Sequence, residues 1–422
     1  MAVDRNLFLH DLAIVAILKN EEPYLKEWID YHLLAGVSHF YLYDNGSTDN
    51  YAAIVRPYVE AGIVTSKYFP GESMQFAAYD DAVQNYRFYC RNMAFIDLDE
   101  FLFPKSTTEP VTATLDEIFD EFPNASGLAI NWQLFGSNGE KTADYSRGVL
   151  ERFTRRAQSG WVVPIPKRTI PGGNAQVKTV ANPRRIAFFT SPHFPIYFEE
   201  NYSVNERGKF VPSYCNEPVT AEKIVLNHYN VKSREEHRQK ILKGRAGKQS
   251  SYLDSSWFDM YDRNEIFDDS ILTYRAARAE KFSLASDEQR LARVTDALTK
   301  NLSRFANNMP PQNSLETALT CRALSSHLRK NCPDNANTWR LYEETSLAAV
   351  LKSFGELKLP DTQLFISELP ELLPLQYPVV EELRDTANYI ISQLMDFMRE
   401  KERWKDFADL DYLRRMLRNF KG

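Results

Sequence analysis

The chain has 422 residues, which is enough for two or three domains with a substantial core. Its formal net charge is −6, so the basic face of a general nucleic-acid-binding protein is not expected. No stretch approaches the roughly 18 apolar residues of a membrane span. The four cysteines lack metal-site spacing and are expected to be free thiols in a reducing compartment. We therefore expect a cytoplasmic protein, with peripheral contact at the inner face of the cell membrane left open.

The first part of the chain alternates between strand and helix. The apolar run at 12–18 predicts a strand that is covered on both faces, and Pro23 and Gly36 suit the start and end of the helix that follows. A strand at 39–43, a helix at 52–59, a strand at 62–68, a helix at 75–90 and a strand at 92–103 are predicted next. This alternation is typical of an α/β fold with a mainly parallel sheet flanked by helices.

The later part of the chain is less regular and then becomes helical. Strands are predicted at 128–132 and 223–229, and Ser233 and Glu236 form a capping box at the start of a helix. From about residue 271 the periodicity is that of helices, which predicts a catalytic domain at 1–270 and an all-helical region at 271–422. The basic, amphipathic segment at 399–421 would contact an anionic membrane, another protomer or its own domain.

Three acidic residues lie in the middle of the predicted strand at 92–103. Asp97 and Asp99 are two positions apart, so a regular strand directs both side chains to one face and Glu100 to the other. Neighbouring carboxylates repel each other, and a divalent metal that carries a diphosphate is a natural partner for them. The alternative is an edge strand with solvated acids, because an Asp-x-Asp triplet alone is common.

Polar residues also follow the other predicted strands. Asn20 and Glu21 come directly after the first strand, and Asp44 to Asp49 follow the second. Asp49 is expected to cap a helix, which leaves Asp44 as the acid that faces a ligand. His228 ends a later strand. Because ligands of such sheets bind at the carboxyl ends of the strands, the clusters at 19–21, 44–49 and 97–100 are expected to meet on one rim.

The order of these motifs resembles the GT-A glycosyltransferases. Lys19-Asn20-Glu21, the run Asp44 to Asp49, the run Phe95 to Phe101, and Leu226 to Tyr229 with Lys240 and Gly244 occur in the order of that fold. Within it, the chain is similar to the family 2-like group and to glycosyltransferase family 92. The resemblance covers residues 12–247 and does not extend to the helical region.

The resemblance implies roles for individual residues. Asn20, Glu21 and Asp44 would bind the nucleotide of the donor. Asp99 would bind the metal directly, and Asp97 would bind it, a metal-bound water or the ribose. His228 would be the remaining metal ligand. Because the ligands mix oxygen and imidazole, Mn²⁺ is expected before Mg²⁺.

Three further residues have open assignments. Trp132 would stack on a sugar ring of the acceptor or donor, or it belongs to the core. Lys178 would approach the diphosphate, or it is a surface lysine. Glu100 is a candidate catalytic base that removes the proton of the acceptor hydroxyl. Other acids remain equally open for this role: Glu140, Asp144, Glu199, Glu200, Glu206 and Glu217.

The expected function is that of a metal-dependent, inverting glycosyltransferase. It would transfer a hexose, with galactose as the first choice, from a UDP-sugar to a hydroxyl of a glycan or lipid-linked glycan. The expected context is surface polysaccharide synthesis, such as lipopolysaccharide or capsule. One alternative is a sugar-nucleotide nucleotidyltransferase, although the first strand is followed by no glycine-rich phosphate loop. Another is a non-catalytic glycan-binding or scaffold protein.

Overall fold

The computed structural model describes most of the chain. The described residues are 3–105, 107–164, 171–198, 201–243, 255–309, 311 and 313–352, with the isolated positions 364, 367, 368, 392, 395, 396, 399 and 411. Apart from positions 399 and 411, the basic segment at 399–421 lies outside the described residues, and so does Gly244 of the predicted motif.

The first elements alternate between strand and helix, as the sequence predicts. In chain order they are β1 (His10–Leu18), α1 (Glu22–Leu34), β2 (His39–Asp44), α2 (Tyr51–Glu60), β3 (Val64–Tyr68), α3 (Gln75–Tyr86), β4 (Cys90–Phe95), β5 (Glu100–Pro104), α4 (Val111–Glu121) and β6 (Gly127–Leu134).

Short strands and then helices follow. They are α5 (Val149–Arg152), β7 (Arg155–Arg156), β8 (Val162–Val163), β9 (Gly172–Gly173), β10 (Val177–Ala181), β11 (Ile186–Phe189), β12 (Pro195–Tyr197), β13 (Ser203–Val204), β14 (Ile224–His228), α6 (Arg234–Lys243), α7 (Ser255–Tyr261), β15 (Ile266–Phe267), α8 (Ser270–Lys281), α9 (Asp287–Ala306), α10 (Ser314–Asn331) and α11 (Ala336–Lys352).

Within the described residues, nine strands form the central sheet. Its order is β3-β2-β1-β4-β10-β6-β14-β5, and β13 pairs with β6 outside this path. The pairs among β3, β2, β1 and β4 are parallel, as are β6 with β14 and with β13. β10 is antiparallel to β4 and β6, and β5 is antiparallel to β14. The predicted fold class, a mixed and mainly parallel sheet followed by helices, is therefore confirmed.

The central strand β1 is buried on both faces, which explains its continuous apolar sequence. Leu12, Ile14 and Ala16 pack with α1 residues such as Trp28 and Leu25. The alternate side chains of β1 pack with a second cluster that contains buried residues of α3. Burying an aliphatic side chain of this size contributes roughly 1.5–3 kcal/mol. β1 therefore anchors the strand ends that carry the polar clusters.

The predicted strand at 92–103 is wrong in one important respect. β4 ends at Phe95 and β5 begins at Glu100, and the residues between them form a turn. The turn closes because the Glu100 amide donates to the Asp97 carbonyl oxygen at 3.1 Å and the Asp97 amide donates to Glu100 Oε2 at 2.8 Å. Asp97 and Asp99 therefore do not share the face of a regular strand. The helix predicted at 75–90 also ends earlier, at Tyr86, because Cys90 already belongs to β4.

Two compact units divide the chain. One contains Phe8–Tyr197 and Asn201–Leu291, and the other contains Met1–Leu7, Phe198–Glu200 and Ala292–Gly422. The helices α8 to α11 agree with the predicted helical region, and the domain boundary at 270/271 stays a prediction. Among the described helices, none is both long and apolar enough to cross a bilayer.

Candidate active site

The turn between β4 and β5 meets the end of β14. The Tyr229 amide, directly after β14, donates to the Asp99 carbonyl oxygen at 2.8 Å. His228 is the last residue of β14 and is paired in register with Glu100. This backbone contact explains why two segments about 130 positions apart in the sequence deliver Asp99 and His228 to one place.

Asp99 lies between a lysine and a histidine. Its Oδ2 atom is 2.6 Å from Lys240 Nζ, and its Oδ1 atom is 3.4 Å from His228 Nε2. Burial alone would raise the pKa of Asp99, but the Lys240 ammonium and His228 hold this pKa well below its usual range. Asp99 is therefore an anion at neutral pH.

His228 has the properties of a neutral ligand. Burial lowers its pKa, although the nearby Asp99 carboxylate partly opposes this effect. Within the described part of the chain, the His228 Nδ1 atom has no hydrogen-bond partner. The separation of 3.4 Å between Nε2 and Asp99 Oδ1 is longer than a normal hydrogen bond. His228 Nε2 and Asp99 Oδ1 are therefore close, but they do not form a good hydrogen bond with each other.

Asp99 and His228 fit a divalent cation as a pair. Ligands bound at about 2.1 Å in neighbouring octahedral positions lie about 3 Å apart, so the observed separation requires little adjustment. Among the described residues, no group of three or more His, Cys, Asp or Glu side chains is arranged to hold a metal ion. A cation here would take two protein ligands, and its other positions would go to the donor or to water.

Asp97 is held by different partners from Asp99. Its Oδ2 atom is 2.9 Å from Lys178 Nζ, and its Oδ1 atom accepts a hydrogen bond from Gln75 Nε2 at 2.9 Å. The structure therefore does not bring Asp97 into a three-ligand cluster with Asp99 and His228. Its carboxylate is 37% exposed, which keeps it accessible to a ribose hydroxyl or a water molecule.

Lys178 is not the surface lysine of the alternative interpretation. It lies on the antiparallel strand β10, and its side chain is only 1% exposed. Burial would lower its pKa, but Asp97 and Glu100 reverse this effect and raise it. Because its ammonium lies 2.9 Å from Asp97 Oδ2, Lys178 neutralises and orients that carboxylate. A direct contact with the diphosphate stays a prediction.

Glu100 lies beneath the turn. Its side chain is fully buried, and Oε2 accepts the Asp97 amide and lies 3.6 Å from Lys178 Nζ. Burial raises the pKa of Glu100 well above its usual range, against the opposing effect of Lys178. A group that is enclosed in this way does not reach an acceptor hydroxyl, so this geometry supports a positioning role and does not support Glu100 as the catalytic base.

Two of the other candidate bases have structural roles. The Glu206 carboxylate is buried and accepts hydrogen bonds from three consecutive amides at 222–224. Glu140 is paired with Arg152 and Arg147. Glu199 and Glu200 lie outside the described residues.

Asn20 links the loop after β1 to the loop after β2, and Asp44 closes the turn of its own loop. Asn20 adopts a positive φ of 54°, and its Oδ1 atom accepts the Thr48 amide at 2.7 Å. Asp44 Oδ1 accepts the Ser47 amide at 2.8 Å. Asp49 Oδ2 accepts the Glu22 amide at 2.8 Å, so this acid caps α1, which precedes it in the sequence. The nucleotide contacts of Asn20, Glu21 and Asp44 stay predictions.

The Trp132 ring packs against the His228 ring. The two ring centroids are 4.3 Å apart, and Trp132 also packs against His193. Only 7% of Trp132 is exposed. The structure therefore places this ring largely in the core, where it orients His228, and stacking on a sugar stays a prediction.

A pocket opens beside Asp99, and the sequence reasoning assigned no role to several of its residues. Lys232 is 6% exposed and has a positive φ of 53°, and its ammonium lies 4.5 Å from the centre of the Tyr24 ring. Burial lowers the pKa of Lys232. The positive φ is the strained feature, and Lys232 is neither glycine nor asparagine, so the sequence carried no signal for it. The lining includes Asn20, Glu21, Tyr24, Asp99, Lys232 and Lys240.

The floor of this pocket is held by several side-chain contacts. Ser233 and Glu236 form the predicted capping box, in which the Ser233 amide donates to Glu236 Oε2 and the Glu236 amide donates to Ser233 Oγ. Glu236 also makes a fully buried ion pair with Arg152 at 2.7 Å, and the Tyr24 hydroxyl donates to it. These contacts hold the start of α6, the helix that presents Lys240.

Comparisons with known proteins identify the class of this chain. The family model described as Glycosyltransferase family 92 matches residues 15–276, a range that contains both Asp99 and His228. Because this match spans more than half of the chain, the protein belongs to glycosyltransferase family 92.

Individual relatives agree with the family. A glycosyltransferase family 92 protein of Ricinus communis is 28% identical over 148 residues, which cover 35% of this chain and 26% of that protein. Galactan beta-1,4-galactosyltransferase GALS2 of Arabidopsis thaliana is 34% identical over 201 residues, which cover 44% of this chain and 35% of that protein. The matches thus span about a quarter to a third of the relatives' lengths.

A solved structure is also similar. The crystal structure of S. aureus TarS residues 1–349 matches 82% of this chain and 91% of that chain, with 12% sequence identity and a TM-score of 0.31. A TM-score this low supports no inference about function.

Proposed function

We propose that this chain transfers a galactosyl residue from UDP-galactose to a hydroxyl of a glycan acceptor, with a divalent cation at Asp99 and His228. The observation that carries the proposal is the approach of the Asp99 carboxylate to a neutral His228 imidazole within the range matched by the family. The galactosyl group is supported by the relatives that are named as galactan galactosyltransferases.

Asp99 and His228 would hold the cation, with Mn²⁺ as the first choice and Mg²⁺ as the second. When bound, such a cation supplies Lewis-acid stabilisation of a leaving diphosphate. Tyr229 fixes the Asp99 backbone, and Trp132 fixes the plane of the His228 ring. These supports keep both ligands oriented before the donor arrives.

The residues around the pocket would bind and orient the donor. Lys232 and Lys240 provide positive charge beside Asp99, where an anionic diphosphate is expected. Asp97 remains exposed enough to accept a hydrogen bond from a ribose hydroxyl while Lys178 and Gln75 hold its orientation. The acceptor would be a glycan or a lipid-linked glycan in surface polysaccharide synthesis at the cytoplasmic side of a membrane.

A donor panel tests the proposal. Hydrolysis and transfer are measured for UDP-galactose, UDP-glucose and UDP-N-acetylglucosamine with Mn²⁺, with Mg²⁺ and with a chelator, using β-1,4-galactan oligosaccharides as acceptors. We expect turnover of UDP-galactose that requires the cation. Nuclear magnetic resonance of the product gives its anomeric configuration and tests inversion.

The same substitution at two aspartates gives a test variant and its matched control. Asp99→Asn should abolish cation-dependent turnover. Asp296→Asn should not, because the Asp296 side chain is 64% exposed on α9 and is paired with Lys300. Turnover that survives both the chelator and Asp99→Asn would contradict the cation site, and the absence of turnover with every donor would contradict the proposed activity.

A further inference from the structure

We propose that Lys240 is an internal cation that occupies Asp99 until a donor diphosphate draws it away, so that the metal and the nucleotide bind as a pair. This inference rests on the proposed function, because it concerns the same cation site. Lys240 would thereby control when Asp99 becomes available as a metal ligand.

The geometry shows competition for one carboxylate. Lys240 Nζ lies 2.6 Å from Asp99 Oδ2 and also donates to the Asn230 carbonyl oxygen at 3.0 Å. The other oxygen of Asp99 faces His228 Nε2 at 3.4 Å. A divalent cation that binds Asp99 and His228 would therefore lie next to the Lys240 ammonium. Two cations on one carboxylate repel each other, so a bare metal ion would bind Asp99 against the charge of the lysine.

The surroundings make this competition stronger. Lys232 has a buried side chain and lines the same pocket as Asp99, so a second lysine adds to this competition. Glu236 is paired with Arg152 in a fully buried contact, and Glu21 is a further carboxylate of the pocket lining. The two lysines of the lining would repel a metal ion that arrives alone, and a nucleoside diphosphate would bring additional negative charge.

Lys240 has the freedom to change its partner. Its side chain is 23% exposed, and it lies on α6, whose first turn is fixed by the capping box of Ser233 and Glu236. The helix therefore stays in place while the flexible four-carbon side chain reorients. On leaving Asp99, the ammonium would move into the pocket and donate to a phosphate oxygen. One lysine would thus exclude the metal alone and bind the diphosphate with it.

Calorimetry and electron paramagnetic resonance of Mn²⁺ test this without measuring turnover. Wild-type protein should bind Mn²⁺ weakly in the absence of nucleotide and more tightly with saturating UDP. Lys240→Met keeps the aliphatic side chain and removes the charge. It should bind Mn²⁺ without UDP on the order of 10-fold more tightly, within the usual 5–150-fold range of coupling between sites. With UDP bound, the Mn²⁺ affinity should stay that of wild type, so the gain that UDP provides should fall by the same factor. By reciprocity, the gain in UDP affinity that Mn²⁺ provides should fall equally.

Two variants serve as controls. Arg238→Met removes a positive charge from an exposed position on the same helix and should leave both affinities unchanged. Lys240→Arg retains the charge and should keep the strong dependence of Mn²⁺ binding on UDP, which preserves a test if the methionine variant is unstable.

The outcomes separate this inference from the proposed function. If Mn²⁺ and UDP bind together to wild-type protein through Asp99, but Lys240→Met binds Mn²⁺ alone no more tightly than wild type, the inference is overturned and the proposed function stands. If wild-type protein binds no Mn²⁺ with UDP, the proposed function fails and the inference fails with it.

Discussion

Two acidic clusters lie at strand ends in this protein, and they differ in how completely their polar atoms are used. In the cluster after β2, Asp44 and Asp49 accept backbone hydrogen bonds at 2.8 Å that close a turn and cap α1. In the cluster after β4, Asp99 faces a histidine at 3.4 Å whose other ring nitrogen has no partner among the described residues. The polar atoms of the first cluster are satisfied within the fold, whereas the Asp99 and His228 pair of the second is poorly satisfied.

The comparison teaches that acidity at a strand end does not by itself identify a ligand site. Buried polar groups are normally paired, so a poorly satisfied pair is the informative exception. The second cluster also contains Lys240 and Lys178, which hold the acids in the absence of a donor. If this difference in hydrogen bonding is also a difference in function, substitutions in the two clusters should have unequal effects on activity.

The largest expected effect comes from Asp99→Asn compared with Asp44→Asn. Loss of the Asp99 carboxylate should lower cation-dependent turnover by at least about 100-fold, since a Lewis acid supplies several kcal/mol of stabilisation. Asp44→Asn retains an oxygen that accepts the Ser47 amide, so its effect should be less than about 10-fold. Steady-state kinetics with saturating Mn²⁺ provide the measurement. Equal losses in both variants would show that the two clusters are not functionally different.

The next effect is on stability, at the base of the second cluster. Lys178→Met should lower the free energy of unfolding by about 3 kcal/mol, because it leaves the buried Glu100 and the partly buried Asp97 without their cation. Urea unfolding at pH 7.5 measures this change. The double variant Lys178→Met/Glu100→Gln should recover part of the loss, since the amide carries no charge. If Glu100→Gln alone abolishes turnover while the fold is retained, Glu100 has a catalytic role that this geometry does not support.

The buried histidines His32 and His228 also differ in how completely their ring nitrogens are hydrogen-bonded. For His32 this predicts a pH dependence of stability. Both nitrogens of His32 are used, since Nδ1 donates to the Trp28 carbonyl oxygen and Nε2 accepts the Leu102 amide, and burial lowers its pKa to about 3. The unfolded chain therefore binds a proton below about pH 6.5 that the folded chain does not. Stability should fall as the pH falls from about 6.5 to 3, by about 1.4 kcal/mol per pH unit for this group.

Urea unfolding between pH 7.5 and 5 checks this slope, and His32→Gln should remove the contribution of one proton. Asp99, whose pKa is held low, loses its contribution only at more acidic pH, as the pH falls through its folded pKa. A His32→Gln variant with the same slope as wild type would contradict the assignment of His32 as a neutral core residue.

The sequence was sufficient to predict β1, β2 and β14, and the resemblance to the family implied that Asp99 and His228 meet. The strands follow from the local hydrophobic pattern. The family match and the sheet order confirm the fold and the family. The apolar run of β1 was especially informative, because burial on both faces leaves a continuous pattern that few other elements share.

The division of work between Asp97 and Asp99 could not be predicted in the same way. It depends on Lys178 from β10 and Lys240 from α6, and these contacts join residues that are far apart in the sequence. The turn between β4 and β5 could not be predicted either, because the sequence there has the pattern of a strand. The turn depends on a hydrogen bond from the Asp97 amide to the Glu100 carboxylate. Periodicity records burial and gives no information about which cation reaches which oxygen.

The smallest expected effect tests the satisfied cluster by itself. Asp49→Ala removes the acceptor of the Glu22 amide at the start of α1 and should lower the free energy of unfolding by about 1 kcal/mol. Asp49→Asn retains an acceptor oxygen and should cost less. Because this cluster is satisfied within the fold, the affinity for UDP with Mn²⁺ should remain that of wild type in both variants. If Asp49→Ala weakens UDP binding without a loss of stability, the cluster after β2 binds the nucleotide directly, and its hydrogen bonds describe a ligand site as well as a cap.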